Sequence, residues 1–95
     1  MSQFRLVFRV HAIQRMFQWR ISEEEVKQGV ATGETIDTYP TDKPLPSRLI
    51  LGWSGSRPIH VVAADDALAQ ETIIVTVYQP DIQEWESEFK RRKRR

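Results

Sequence analysis

From Thr72 to Val77 every residue is β-branched, and Tyr78 closes the run. Side chains with two heavy atoms on Cβ are stiff in a helix and fit a pleated surface well, so this stretch predicts a strand. Pro80, which has no N–H to donate, ends it. A strand needs hydrogen-bonded neighbours, and the preceding sequence offers Glu34 to Tyr39, Arg48 to Trp53 and about Pro58 to Ala64. Ser54-Gly55-Ser56 turns the second of these into the third, Asp65-Asp66 starts the next turn, and Pro40, Pro44 and Pro46 mark a loop that cannot sustain a ladder. The arrangement predicts an antiparallel meander of three or four strands.

The residues before the meander follow other periods. Phe4, Leu6, Phe8 and Val10 alternate with Arg5, Val7 and Arg9, as a short extended segment would. From about Val10 to residue 20 the period becomes helical, with Ile13, Met16 and Phe17 on one side and His11, Gln14, Arg15 and Gln18 on the other. Ser22 with Glu25 makes a capping box for a second helix over 23–32, anchored by Val26 and Val30 and stopped at Gly33. Beyond Pro80 a last helix is expected from about Asp81 to Phe89. The chain therefore reads as α+β: two N-terminal helices, an antiparallel sheet of three or four strands, and a C-terminal helix.

Ninety-five residues, 40% of them hydrophobic, suit one small soluble domain, expected over 1–89. No apolar run approaches the ~20 residues that span a bilayer, and the N-terminus lacks the pattern of a signal peptide, so a cytoplasmic protein without membrane contact is expected. Without cysteine, and with only His11 and His60 as histidines, neither a metal nor another cofactor is expected. The net charge of +1 hides a basic C-terminal tail, Lys90, Arg91, Arg92, Lys93, Arg94 and Arg95, attached to an acidic body. Clustered cations of this kind meet nucleic acid phosphates, or form a solvated, frayed helix end.

Strand alternation brings chemistry into the sheet. Thr72, Ile74, Thr76 and Tyr78 share one face, His60 and Val62 share a face, and packing of the more regular apolar sets on the helices leaves His60, Thr76 and Tyr78 together on the other side. Arg48 and Ile50 join them if the register permits, with Leu49, Leu51 and Trp53 on the core side. On the first helix the spacing of four stacks His11 beside Arg15. Guanidinium groups fork onto phosphate oxygens, histidine carries a proton near neutral pH, and a hydroxyl supports a developing oxyanion. Together they suit metal-free cleavage of RNA. Each residue also has a plainer reading: a strand histidine satisfied in the packing, Arg15 paired with Glu23 or Glu24, and tryptophans Trp19, Trp53 and Trp85 as packing residues.

The succession His11-Ala12-Ile13-Gln14-Arg15-Met16, Arg20-Ile21-Ser22, Val26, Gly33-Glu34-Thr35-Ile36, Tyr39-Pro40, Arg48-Leu49, Pro58-Ile59-His60-Val61-Val62 and Ile74-Val75-Thr76-Val77-Tyr78 resembles the domain of unknown function family 4258 over about residues 9–85. That family looks like a branch of the barnase/EndoU/colicin/RelE-like ribonuclease fold. The resemblance implies helices on a curved antiparallel sheet and a toxin of a toxin–antitoxin pair, with RNA and a cognate antitoxin protein as partners. It implicates His11, Arg15, Arg48, His60 and Thr76 as catalytic, with Tyr78 beside them. The acidic body departs from the strongly basic bodies of RelE-like ribosome-dependent nucleases.

Three classes of function follow: an endoribonuclease, a non-catalytic protein- or nucleic-acid-binding module, and a structural or oligomerising protein that pairs a sheet edge. Convergence separates them. The nuclease needs His11, Arg15, Arg48 and His60 around one cleft, whereas scattered positions favour the other two.

Overall fold

The structure, a computed structural model, describes residues 4–93. Its elements run β1 (Arg5–Phe8), α1 (Val10–Trp19), α2 (Glu23–Thr32), β2 (Glu34–Tyr39), β3 (Ser47–Ser54), β4 (Arg57–Asp66) and β5 (Glu71–Tyr78). The strands form one five-stranded sheet in the order β1-β5-β4-β3-β2. From β2 to β5 neighbouring strands are antiparallel, but β1 pairs with β5 in parallel, Arg5 opposite Glu71 and Phe8 opposite Ile74. The expected sheet of three or four antiparallel strands is thus corrected to a five-stranded mixed sheet. The short extended segment expected near Phe4 to Val10 is this strand, four residues long; its place in the sheet was not foreseen, because nothing local in the sequence says that its partner lies more than sixty residues away.

Both helices pack on one face of the sheet, α1 on β5 and α2 on β3 and β4. Ile50, Ile59, Val61, Ala63, Ile74 and Val77 meet Ala12, Ile21 and Val26 there in a continuous core. Each fully buried isoleucine contributes about 1.5–3 kcal/mol. Ile74 and Val77 both reach this core because a bulge at Val75 shifts the β4–β5 register between Val62–Thr76 and Ala63–Ile74. Strict alternation had placed Ile74 beside Thr76 and Tyr78; the extra residue moves it to the helix side and leaves Thr76 and Tyr78 opposite.

The ends of α2 show how sequence sets local structure. The Glu25 N–H donates to Ser22 Oγ at 3.1 Å and the Ser22 N–H donates to Glu25 Oε1 at 2.8 Å, completing the capping box. Hydrogen bonds from Ser54 and Ser22, aided by the nearby Arg57 cation, hold the Glu25 carboxyl below its ordinary range. The backbones of α2 and β3 touch at glycines: a Cβ on Gly52 would lie 2.5 Å from Gly29 Cα. Gly33 ends the helix in extended backbone, φ −78°, and a side chain there would strike Gly29 O. Its role is steric rather than conformational.

The expected helix over 81–89 is absent. Asp81 O accepts from the Glu84 and Trp85 N–H groups at 2.9 and 3.0 Å, one turn that goes no further. Trp85 then bridges to Arg92 in antiparallel fashion, with Glu86 N–H to Arg91 O at 2.9 Å and Lys93 N–H to Glu84 O at 2.8 Å. Folding back buries Trp85 to 6% exposure, ring centroid 4.4 Å from that of His60. A regular helix gives up that burial. Residues 79–93 thereby form an irregular second layer on the sheet face away from the helices, and Lys90 to Lys93 belong to it; Arg94 and Arg95 lie outside the described residues.

Candidate functional site

The residues expected to converge do not share one cleft. Arg48 pairs with Ala63 across the β3–β4 ladder, which turns it toward the helices, where its Nε donates to Asp65 Oδ2 at 3.0 Å and its Nη1 to Thr35 Oγ1 at 3.1 Å. The expected faces of β3 are reversed: Ile50 points into the helix-side core, and Leu49, Leu51 and Trp53 lie on the face of His60. Both sets are apolar and the sheet is covered on both sides, so alternation alone was ambiguous.

His60 is fully buried. Its Nε2 lies 2.8 Å from Phe89 O, which only accepts, so Nε2 carries the proton and Nδ1 accepts from the Tyr78 hydroxyl at 3.2 Å. Burial pushes its pKa below the ordinary value and the Arg92 cation adds to this, while the Phe89 carbonyl opposes them. A neutral imidazole with both nitrogens satisfied and rings packed on two sides pins residues 79–93 to the sheet; no substrate reaches it in this conformation. Thr76 and Tyr78 stand on the same face. Burial raises the Tyr78 and Tyr39 phenols above their usual range, so both stay protonated at neutral pH.

The tail cations are partly spent. Lys90 pairs with Glu34 at 3.0 Å, and Arg92 pairs with Glu84 at 3.3 Å while lying 4.9 Å over the Trp85 ring. Arg91 and Lys93 have no carboxylate partner among the described residues.

The exposed chemistry lies on α1. Ala12 and Met16, rather than the expected stripe of Ile13, Met16 and Phe17, are the side chains that α1 turns to the core. The helix leans on the outer part of β5, so its apolar arc is wider than the surface available to cover it. Phe17 remains 81% exposed and Trp19 39%. His11 and Arg15 are exposed on the same helix, and among the described residues Arg15 donates a side-chain hydrogen bond only to Gln18 Oε1, at 3.1 Å. Arg20 ends α1 in the left-handed region, φ 53°, and its carbonyl accepts from Arg57. Arg9, Arg15 and Arg20 have no carboxylate partner among the described residues. Residues 1–22 contain no acid at all; all thirteen acidic residues lie further on.

At the start of α1 a groove of about 380 Å³ opens beside His11, and Arg9, Lys43 and Asp42 are among the residues that line it. Arg9, Asp42, Lys43 and the exposed Phe17 were not among the expected site residues. Neither Arg9 nor Lys43 sits in a motif; the run without acids through residue 22 is the signal that could have drawn attention to Arg9. Among the described residues, no three His, Asp or Glu side chains gather closely enough to hold a metal ion, and no helix is long and apolar enough to cross a membrane.

A model of the domain of unknown function family 4258 matches residues 8–79, and the chain belongs to that family. No curated protein and no solved structure matches it.

Proposed function

We propose that this protein is an RNA-binding module in the cytoplasm, whose first helix holds single-stranded RNA. Arg9, Arg15 and Arg20 engage phosphates, and Phe17 and Trp19 offer faces on which bases stack. The observation that carries this reading is charge segregation: the exposed cations of the first helix stand free of carboxylates, in a stretch without acids, while residues 23–89 are net acidic. A guanidinium not engaged by a carboxylate is available to a phosphate. Arg91 and Lys93 add sequence-independent affinity.

A second reading, the endoribonuclease toxin with a cognate antitoxin, draws support from His11, exposed beside a groove that Arg9 and Lys43 also line. The binding reading is preferred because Arg48 and His60 are engaged elsewhere. Incubating purified protein with a labelled single-stranded RNA in chelator tests both. Binding without cleavage supports the module, and cleavage that His11→Ala abolishes supports the nuclease. Absence of binding and cleavage contradicts both.

A further inference from the structure

We infer that the groove beside His11 is a guanine subsite in which Asp42 reads the base; this rests on the RNA-binding reading above. Part of the groove lining is apolar, supplied by Leu45 from the proline loop and by Ala64, Ile73 and Val75 from the sheet. The polar lining comprises Arg9, His11 and Lys43, with Asp42 as its one carboxylate among the described residues, and Ser47 beside it. A groove that combines apolar lining with cations fits a planar base and its phosphate.

Asp42 is built into place. Its N–H donates to Tyr39 O at 3.2 Å, and its Oδ2 accepts at 2.5 Å from the hydroxyl of Ser47, which is 7% exposed at the start of β3. The hydroxyl uses one lone pair of Oδ2 and leaves Oδ1 open. An ionised carboxylate only accepts. Guanine alone presents two adjacent donors, N1–H and N2–H, on its Watson–Crick edge, which a carboxylate engages with both oxygens. Adenine sets its N1 lone pair beside the N6 donor, cytosine its N3 beside N4, and uracil flanks N3–H with carbonyls. Each of these turns a lone pair toward the carboxylate, and a lone-pair clash in place of a bidentate pair is worth roughly tenfold or more in affinity.

The test uses fluorescence anisotropy in chelator with labelled octamers of uridine carrying one central G, A, C or U. The G octamer is expected to bind about tenfold more tightly than the others, and Asp42→Asn, which replaces one acceptor by a donor, is expected to erase the ratio. Ser47→Ala, which frees the carboxylate to rotate, is expected to shrink it. Equal binding of all four octamers overturns the guanine subsite and leaves RNA binding standing. A guanine preference that survives in folded Asp42→Asn overturns the role of Asp42. Failure of every octamer to bind overturns the RNA-binding reading itself.

Discussion

Replacing His60 with alanine should loosen the C-terminal layer. The imidazole is fully buried, bonds to Tyr78 and Phe89, and packs edge-to-face with Trp85 at 4.4 Å and Tyr78 at 5.2 Å. Truncating a buried ring leaves a cavity, and the two lost bonds are worth about 1 kcal/mol each, so the expected cost is about 3 kcal/mol. For a domain of this size that lowers Tm by roughly 12–24 °C. Urea titration followed by tryptophan fluorescence reads the change, with Trp85 against the mutated site. His60→Phe, which keeps the ring and loses the bonds, should cost less. The same residue sets a pH dependence. Its folded pKa lies below the ordinary 6.5, so the unfolded chain takes up the proton first. Stability from this group is complete above about pH 6.5 and falls as pH drops toward the folded pKa, below which the loss levels off. The difference in pH profile between wild type and His60→Phe isolates it. A loss below 1 kcal/mol in His60→Ala, or identical pH profiles, refutes the assignment of His60 as the pin.

Two further substitutions test the packing by thermal or urea melts. Gly52→Ala drives a Cβ to 2.5 Å from Gly29 Cα and should cost about 1–3 kcal/mol, whereas a Cβ on Gly29 meets Gly52 Cα at 3.7 Å, so Gly29→Ala should be neutral or gain up to about 1 kcal/mol of helix propensity. Equal losses would contradict the asymmetric contact. Arg20→Gly relieves a left-handed residue at the end of α1 and should stabilise by about 0.5–1 kcal/mol, a gain that a destabilised melt would disprove.

Local signals were the legible part of this chain. Ser22 with Glu25 located the start of α2, Gly33 its end, and β-branched density the last strand, because each depends on residues within a turn of one another. Pairings over long sequence distance were not legible. The parallel partner of Arg5 to Phe8 lies near the other end of the chain, and the bulge at Val75 breaks the alternation that located Ile74. On β3, Leu49, Ile50 and Leu51 are all buried, so no polar face marked which side Arg48 takes. For His60 the sequence offered both a catalytic role and the plainer reading of a strand histidine satisfied in the packing, and both its ring nitrogens are partnered. Its partner, the Phe89 carbonyl, belongs to a segment whose composition suggests a helix and whose fold is decided by the burial of Trp85. Asp42 and Ser47 line the groove together with Arg9 and His11, which come from a segment some thirty residues earlier, so the groove had no motif to reveal it.

Whether the first helix holds RNA is read from the salt dependence of binding. For single strands the slope of log affinity against log salt is about −0.7 per phosphate neutralised. Measured by anisotropy in chelator, Arg9→Ala with Arg15→Ala should weaken binding of unrelated RNAs alike and flatten the slope by about 1.4. An unchanged slope in that variant, with the loss appearing instead in Arg91→Ala with Lys93→Ala, would contradict the account.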